Sequence, residues 1–289
     1  PGVVASVTPF AVSNSAFTVQ ALNSLANTGT STTLPTGYAF AETGGNTSYS
    51  ADDGASSAGG VYSYGTGAST ERALGSLRDG TVAPVIGTRL QNGTGDIIKF
   101  LFVQFAGEQW RRDSLGTIAD RLDFQYSLDA TSLTTGTWVD TDALDFISPI
   151  ATATTAALDG NAVANRTTVI GHVEGLNLAN GATIWVRWLD ADAGGNDDGL
   201  AIDDVAFAVP ALSIEAADAL TEGNVVGCPV PNNLRFTVSR SGGVPSTGIP
   251  YTFTTTAVSA AQGVDYTGFT NQAQTLNFGG TISNIDVPI

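Results

Sequence analysis

Along this chain apolar and polar residues alternate over short stretches, and turn-forming residues separate one stretch from the next. RLDFQYSLD (121–129) is the clearest: Leu122, Phe124, Tyr126 and Leu128 alternate with Asp123, Gln125 and Ser127, giving a strand with one buried and one wet face. DIIKFLFVQF (96–105), TTVIGHVEGL (167–176), TIWVRWLD (183–190) and LAIDDVAFAV (200–209) predict further strands. FLFVQF and IWVRW are apolar on both faces, as strands covered on two sides or lining a contact surface are. Between residues 25 and 70 the chain is rich in Gly, Ser, Thr and Asn, which predicts long surface loops. Aromatic islands at Tyr38–Phe40, Tyr49 and Tyr62–Tyr64 anchor brief strands there. Residues 1–20, apolar and β-prone, read as an N-terminal β arm.

Val209-Pro210-Ala211 marks a boundary, because Pro210 ends the preceding strand and a fresh series begins. That series is LSIEAAD, LRFTVSRS (234–241), YTFTTTAV (251–258), QTLNFGG (274–280) and ISNIDVPI (282–289). The pattern predicts an all-β chain of two antiparallel β-sandwich domains, 21–209 and 210–289. A length of 289 residues suits two cores.

Composition narrows the function. Eleven basic against twenty-seven acidic residues give a net charge of −16, a field that repels nucleic-acid phosphates and anionic membranes and attracts cations. Ten Arg and Lys99 form no cluster beyond Arg111 and Arg112, so no nucleic-acid partner is expected. No apolar run approaches the ~18 residues that cross a bilayer, so membrane insertion is not expected either. Cys228 is the sole cysteine, which excludes an internal disulfide or a thiolate metal cluster. A start at Pro1 without an export signal reads as a processed chain.

The segment carrying TEGN, VDYTG, LNFGG and IDVPI in that order resembles a Calx-beta domain. The resemblance implies an Ig-like Greek-key sandwich of bacterial surface and secreted proteins, with calcium held at one end in some members. Of the ligands it implies, Glu222 and Asp265 remain, the TTAV turn and Gly279-Gly280-Thr281 replace two acidic turns, and the last strands are missing beyond Ile289. Two carboxylates fall short of the six to eight oxygens calcium takes; they read equally as a turn cap and a loop hydrogen-bond acceptor. The preceding residues, through LPTGYAFAETG, ERALGSLRDG, GEQWR, ALDGNAVANR and DGLAIDDV, resemble a jelly-roll-like module of large exported bacterial proteins. Its closing aspartates are similar to those that hold a structural calcium in carbohydrate-binding jelly rolls.

Chemistry concentrates between residues 190 and 204. Asp190, Asp192, Asn196, Asp197, Asp198, Asp203 and Asp204 repel one another unless solvated or bridged by a hard cation, and all-oxygen ligands select calcium. The run reads as a calcium site, joined by Glu42 from an N-terminal strand, or as a solvated acidic turn. His172 is the only histidine and lies in a strand pattern, which favours packing over general-base work. Glu108 beside Trp110, with Asp120 or Asp123, has the residue types of a glycosidase pair; salt-bridging to Arg111 and Arg112 is the plainer reading. Trp110, Trp138, Trp185 and Trp188 would stack on a glycan partner if exposed and fill the core if buried.

These readings predict a non-enzymatic extracellular structural or adhesive protein, a cell-surface, matrix or filament-forming subunit stabilised by calcium. The alternative is an accessory or carbohydrate-binding portion of a larger secreted enzyme, such as an extracellular nuclease. A sandwich ending on ISNIDVPI would leave Phe236, Phe253, Leu276 and Phe278 at an open edge. Either sequence beyond Ile289 closes that edge, or the Val3–Val19 arm of another subunit pairs with it, making a homo-oligomer or filament by strand exchange.

Overall fold

The computed structural model describes residues 8–12, 18–113, 118–152, 154–193, 197–209, 211–216, 233–241, 249–256, 262–263, 266–277 and 282–288. The fold is all-β, with two short 3-10 turns at Asp142–Leu144 and Val163–Asn165. The chain divides into two compact units, Pro1–Val209 and Pro210–Ile289.

The first unit is a sandwich. In its seven-stranded sheet Phe10–Val12, Pro84–Asn92, Thr183–Asp190, Arg121–Ser127 and Val139–Asp140 lie side by side. Tyr38–Glu42 is added on Pro84–Asn92, and Phe146–Ile147 on Arg121–Ser127. The nine-stranded sheet runs Ala156–Ala157, Ile98–Arg112, Gly199–Ala208, Ala73–Leu77, Gly60–Tyr64, Tyr49–Asp52 and Thr30–Ser31. Arg166–Leu178 pairs with Ile98–Arg112, and Thr18–Gln20 with Gly199–Ala208. Pairing is antiparallel except at Phe10–Val12 with Leu90–Asn92 and at Ser50–Asp52 with Tyr62–Tyr64.

The two inner faces share one core. Trp188 of the first sheet meets Phe105 of the second edge-on, ring centroids 5.3 Å apart, and Phe124 packs on the same indole at 5.5 Å. All three are fully buried, and each contributes about 1.5–3 kcal/mol by leaving water. Trp110 and Trp185 are buried too, so three of the four indoles fill cores; Trp138 lies under the Arg187 guanidinium, 3.9 Å from its ring centre.

Both faces of Thr183–Asp190 are covered, one of the two readings its apolar pattern left open. Ile184, Val186 and Trp188 face the second sheet, while Trp185 packs with Ala39, Ala41, Val85, Ala130 and Leu133 on the other side. The 128–138 segment folds across that outer face, so the expected wet face of Arg121–Ser127 is partly dry: Asp123 and Ser127 are buried. Leu128, assigned to the buried face, is instead 49% exposed. The strand ends at Ser127, and Asp129 holds the turn by accepting from Ser127 Oγ at 2.8 Å and Thr137 N at 2.7 Å.

The N-terminal segment does not behave as a spare arm. Phe10–Val12 occupies an edge of the first sheet and Thr18–Gln20 pairs with Val205–Phe207 of the second, both in the chain's own sandwich. Residues already paired in their own sandwich give no support to their donation to another subunit.

In the second unit Ala211–Ala216, Asn233–Ser241 and Ile282–Pro288 form an antiparallel sheet, and Ile249–Phe253 pairs with Gln272–Leu276. Val238, Ile285 and Val287 are its buried centre, with Phe236, Tyr251, Phe253 and Phe269 packed around them. The residues expected at an open edge are therefore covered: Leu276 is buried, Phe236 is partly so, and Phe253 meets Phe269 edge-on at 5.4 Å. Phe278, Glu222, Asp265 and Cys228 lie outside the described residues.

Candidate functional site

Strand ends bring the acidic run into the sandwich rather than onto a solvated loop. Asp190 closes Thr183–Asp190, and Asp197 and Asp198 lead into Gly199–Ala208; all three are buried. Asp120, just before Arg121–Ser127, joins them through its Oδ2, which accepts from Asp198 N at 2.8 Å. Ser76 Oγ donates to Asp190 Oδ2 at 2.7 Å, whereas Asp190 Oδ1 accepts no hydrogen bond. Burial pushes the Asp190 carboxyl far above the usual carboxylate range, and the nearby Asp120 and Asp197 charges push the same way. Burial likewise raises Asp120 to about 7 and Asp197 to about 6. Arg78 Nη1 lies 3.3 Å from the Asp190 carbonyl and Nη2 3.5 Å from Asp192, which is exposed. Asn196 lies outside the described residues.

Asp198 has a different role. Its Oδ1 accepts from Arg112 Nη1 at 3.0 Å and Asp113 N at 2.9 Å, and its Oδ2 from Gln109 Nε2 at 2.7 Å. This is a saturated buried ion pair. Arg112 is thus spent on Asp198, and Arg111 faces Asp113 at 3.7 Å, so neither is the counter-ion of Glu108.

Asp203 and Asp204 part from the rest of the run. A bulge interrupts the pairing of Gly199–Ala208 with Ile98–Arg112 between Asp203 and Ala206, and Asp204 sits in the left-handed region at φ 50°. Asp203 lies instead with Glu71 and Glu108, one carboxylate oxygen from each within 4.8 Å of the others. Burial raises Glu108 to about 8 and Asp203 to about 7. Arg166 Nη2 is 3.6 Å from both Glu108 and Asp204.

Glu42 also stands apart. Its carboxyl, raised by burial, is held by Asn46 and the Val61 backbone, and it borders a pocket of about 360 Å³ with Ala41, Thr43, Gly44 and Val85. A third acidic group, Asp123, Asp140 and Asp145, already has its cation: Arg121 reaches Asp123 at 3.1 Å and Asp145 at 3.4 Å.

Nothing in the sequence pointed to Glu71 beside Glu108 and Asp203, or to Ser76 as the donor to Asp190. Asp120 was noticed only as a partner for Glu108. Local spacing carries no sign of these contacts, which depend on sheet order. His172 lies flat on Phe100, ring centroids 4.3 Å apart, with Glu174 at 3.8 Å, which is a packing role.

No family model matches the chain, and no curated protein matches it either. Among solved structures the enzymatically active domain of bacteriophage CBA120 tailspike protein 4 aligns at 7% identity and a TM-score of 0.31, over 60% of this chain and 19% of that one. TmCBM61 in complex with β-1,4-galactotriose aligns at 10% identity and 0.25, over 47% and 70%. The K3 cleaved adhesin domain of Lys-gingipain from Porphyromonas gingivalis aligns at 10% identity and 0.30, over 50% and 77%. At such scores these likenesses do not bear on what this chain does.

Proposed function

We propose that this chain is a non-enzymatic structural or adhesive part of an extracellular or cell-surface protein, and that calcium stabilises its first sandwich. The observation that supports this reading is the charge buried there: among the described residues, nine carboxylates against three guanidinium groups, Arg72, Arg111 and Arg112. Rim arginines such as Arg78, Arg121 and Arg166 offset only part of the excess. Each uncompensated buried charge costs several kcal/mol, so the acids must either hold protons or share a cation. Oxygen-only groups on a rigid frame suit calcium, and extracellular calcium modules work at dissociation constants of about 10⁻⁴–10⁻³ M. Asp190 is the group assigned to it at the sandwich end, with Oδ1 as the oxygen lacking a donor and the neighbouring charges of Asp120 and Asp197 adding to the local acidity.

Catalysis fits poorly with the same geometry. Glu108 is fully buried, its Oε2 accepts from Trp110 Nε1 at 2.9 Å, and that indole is stacked on Tyr64 at 5.9 Å. A sugar ring has no room beside it, whereas a glycosidase carboxylate must touch the scissile bond. Among the described residues no helix is long and apolar enough to cross a membrane. The second unit is read as Calx-beta-like on its TEGN, VDYTG, LNFGG and IDVPI series alone; its LSIEA, LRFTVSRS and ISNIDVP strands pair antiparallel.

The experiment is a paired assay on the purified chain. After dialysis against calcium and then buffer, metal analysis should find retained calcium, and incubation with polysaccharides and nucleic acids should give no turnover above blank. Turnover that disappears in Glu108→Gln would replace this reading with a hydrolase.

A further inference from the structure

Beyond the sandwich end, we infer that Glu71, Glu108 and Asp203 form a separate divalent-cation site, fitted to calcium, on the outer face of the nine-stranded sheet. The face follows from strand alternation. A methyl placed on Gly107 would lie 2.1 Å from the Phe146 ring, so Gly107 faces the other sheet and Glu108 faces away from it. Above that outer face runs the segment leading to Arg166. A methyl on Gly160 would lie 2.3 Å from Trp110 Nε1, and Asn161 Nδ2 donates to Glu71 Oε2.

Three independent parts of the chain deliver the ligands. Glu71 precedes Ala73–Leu77, Glu108 lies within Ile98–Arg112, and Asp203 stands at the bulge of Gly199–Ala208. Each carboxylate is oriented through one oxygen by an N–H donor: Glu71 by Asn161, Glu108 by Trp110 at 2.9 Å, and Asp203 by Leu22 N at 3.1 Å. Such outer contacts aim metal ligands and leave their second oxygens for the ion. Glu108 Oε1 shows this most plainly: it belongs to a fully buried residue, accepts no hydrogen bond, and has the Arg166 guanidinium only at 3.6 Å, beyond hydrogen-bond reach.

Local charge points the same way. Among the described residues, the one guanidinium within 4 Å of these four carboxylates, Asp204 included, is that of Arg166, which stays 3.6 Å away from Glu108 and is 30% exposed; Arg72 reaches Glu71 through its longer-range charge. The neighbouring Arg72 turns its guanidinium to Ser63 and to the carbonyl of Gly67. An all-oxygen set with no sulfur or imidazole favours calcium over zinc or copper, and half-buried Glu71 leaves a side open for water ligands and for entry.

Terbium, a calcium substitute excited through nearby indoles, tests the site because Trp110 touches Glu108. In the Asp190→Asn variant of this chain, which removes the sandwich-end site, Tb³⁺ should still give indole-sensitised luminescence that Ca²⁺ competes away. Adding Glu108→Gln should abolish it. In the otherwise unchanged chain, Glu71→Gln should weaken the corresponding Ca²⁺ binding step by at least about tenfold while the near-ultraviolet dichroism is retained. Luminescence that survives Glu108→Gln, no terbium binding in Asp190→Asn, or wild-type Ca²⁺ affinity in Glu71→Gln would each overturn the site. The sandwich-end reading would stand or fall separately, through Asp190.

Discussion

Ser76 and Asp190 join the two sheets of the first sandwich: Ser76 Oγ donates to Asp190 Oδ2 at 2.7 Å, while Oδ1 of the same fully buried carboxylate accepts nothing. One oxygen fixes the side chain, and the other is left without a hydrogen-bond donor. The contrast with Asp198, whose oxygens are filled by Arg112, Asp113 N and Gln109, separates a ligand-like acid from a structural one within eight residues of chain.

Asp198 should therefore behave as a framework residue whether or not metal is present. Asp198→Ala removes the charge partner of the Arg112 guanidinium and the acceptor of Asp113 N, leaving Arg112 and Gln109 with backbone carbonyls such as those of Ala151 and Ile150, and breaking a buried pair in this way costs about 3–5 kcal/mol. Urea unfolding at neutral pH measures the loss. A cost under about 1 kcal/mol would contradict the assigned role.

Gly54 and Gly29 separate backbone conformation from crowding. Both have positive φ, 88° and 64°, but a methyl on Gly54 would lie 1.9 Å from the Trp110 carbonyl oxygen, and one on Gly29 would meet nothing within 4 Å. Gly29→Ala should cost about 1–2 kcal/mol, the left-handed penalty alone. Gly54→Ala should cost about 1–3 kcal/mol more through overpacking against the main chain that carries Trp110. Equal melting shifts for the two variants would contradict the packing described for Trp110.

Asp145 gives a pH dependence. Its carboxyl is raised to about 6, chiefly by burial, with the Asp123 charge adding to the shift and Phe124 N and Arg121 opposing it. Between about pH 4 and 6 the folded protein holds a proton that the unfolded chain has released. Its contribution to stability is thus greatest below about pH 4 and is lost as pH rises through 6. Asp145→Asn should flatten the decline of stability across that window, by on the order of 1 kcal/mol. Denaturant midpoints at pH 4, 5 and 6 for both proteins provide the check, and parallel trends would count against it.

Much of the strand framework was legible in the sequence, and the acid groupings were not. Thr183–Asp190 was readable to the residue because Ile184–Val186 and Trp188–Leu189 are apolar on either side of Arg187 and a polar residue bounds each end. Pro84–Asn92, paired along one edge with that strand, escaped notice because Pro84 and Gly87 break the alternation of Val85, Ile86 and Leu90. The length of Ile98–Arg112 was underestimated because Glu108, Gln109, Arg111 and Arg112 look like a solvated strand end. All four are buried by partners from distant parts of the chain. The acidic run was visible as a composition, yet only the register of Gly199–Ala208 on Ile98–Arg112, with Ala201 opposite Glu108 and Asp203 opposite Ala106, separates this residue from Asp190 and brings it to Glu71 and Glu108.

Calcium-dependent melting of the wild-type chain and of Asp190→Asn tests the account most directly. With calcium at about 100 times its dissociation constant, ligand linkage adds about 2.7 kcal/mol, so wild type should melt several degrees higher in calcium than in EDTA. Asp190→Asn should lose the part of that increment due to the sandwich-end site, keeping at most what the Glu71–Glu108–Asp203 site contributes, with its folded dichroism retained. A wild-type melt that is the same in calcium and in EDTA, or a full calcium increment retained in Asp190→Asn, would contradict a calcium site built on Asp190.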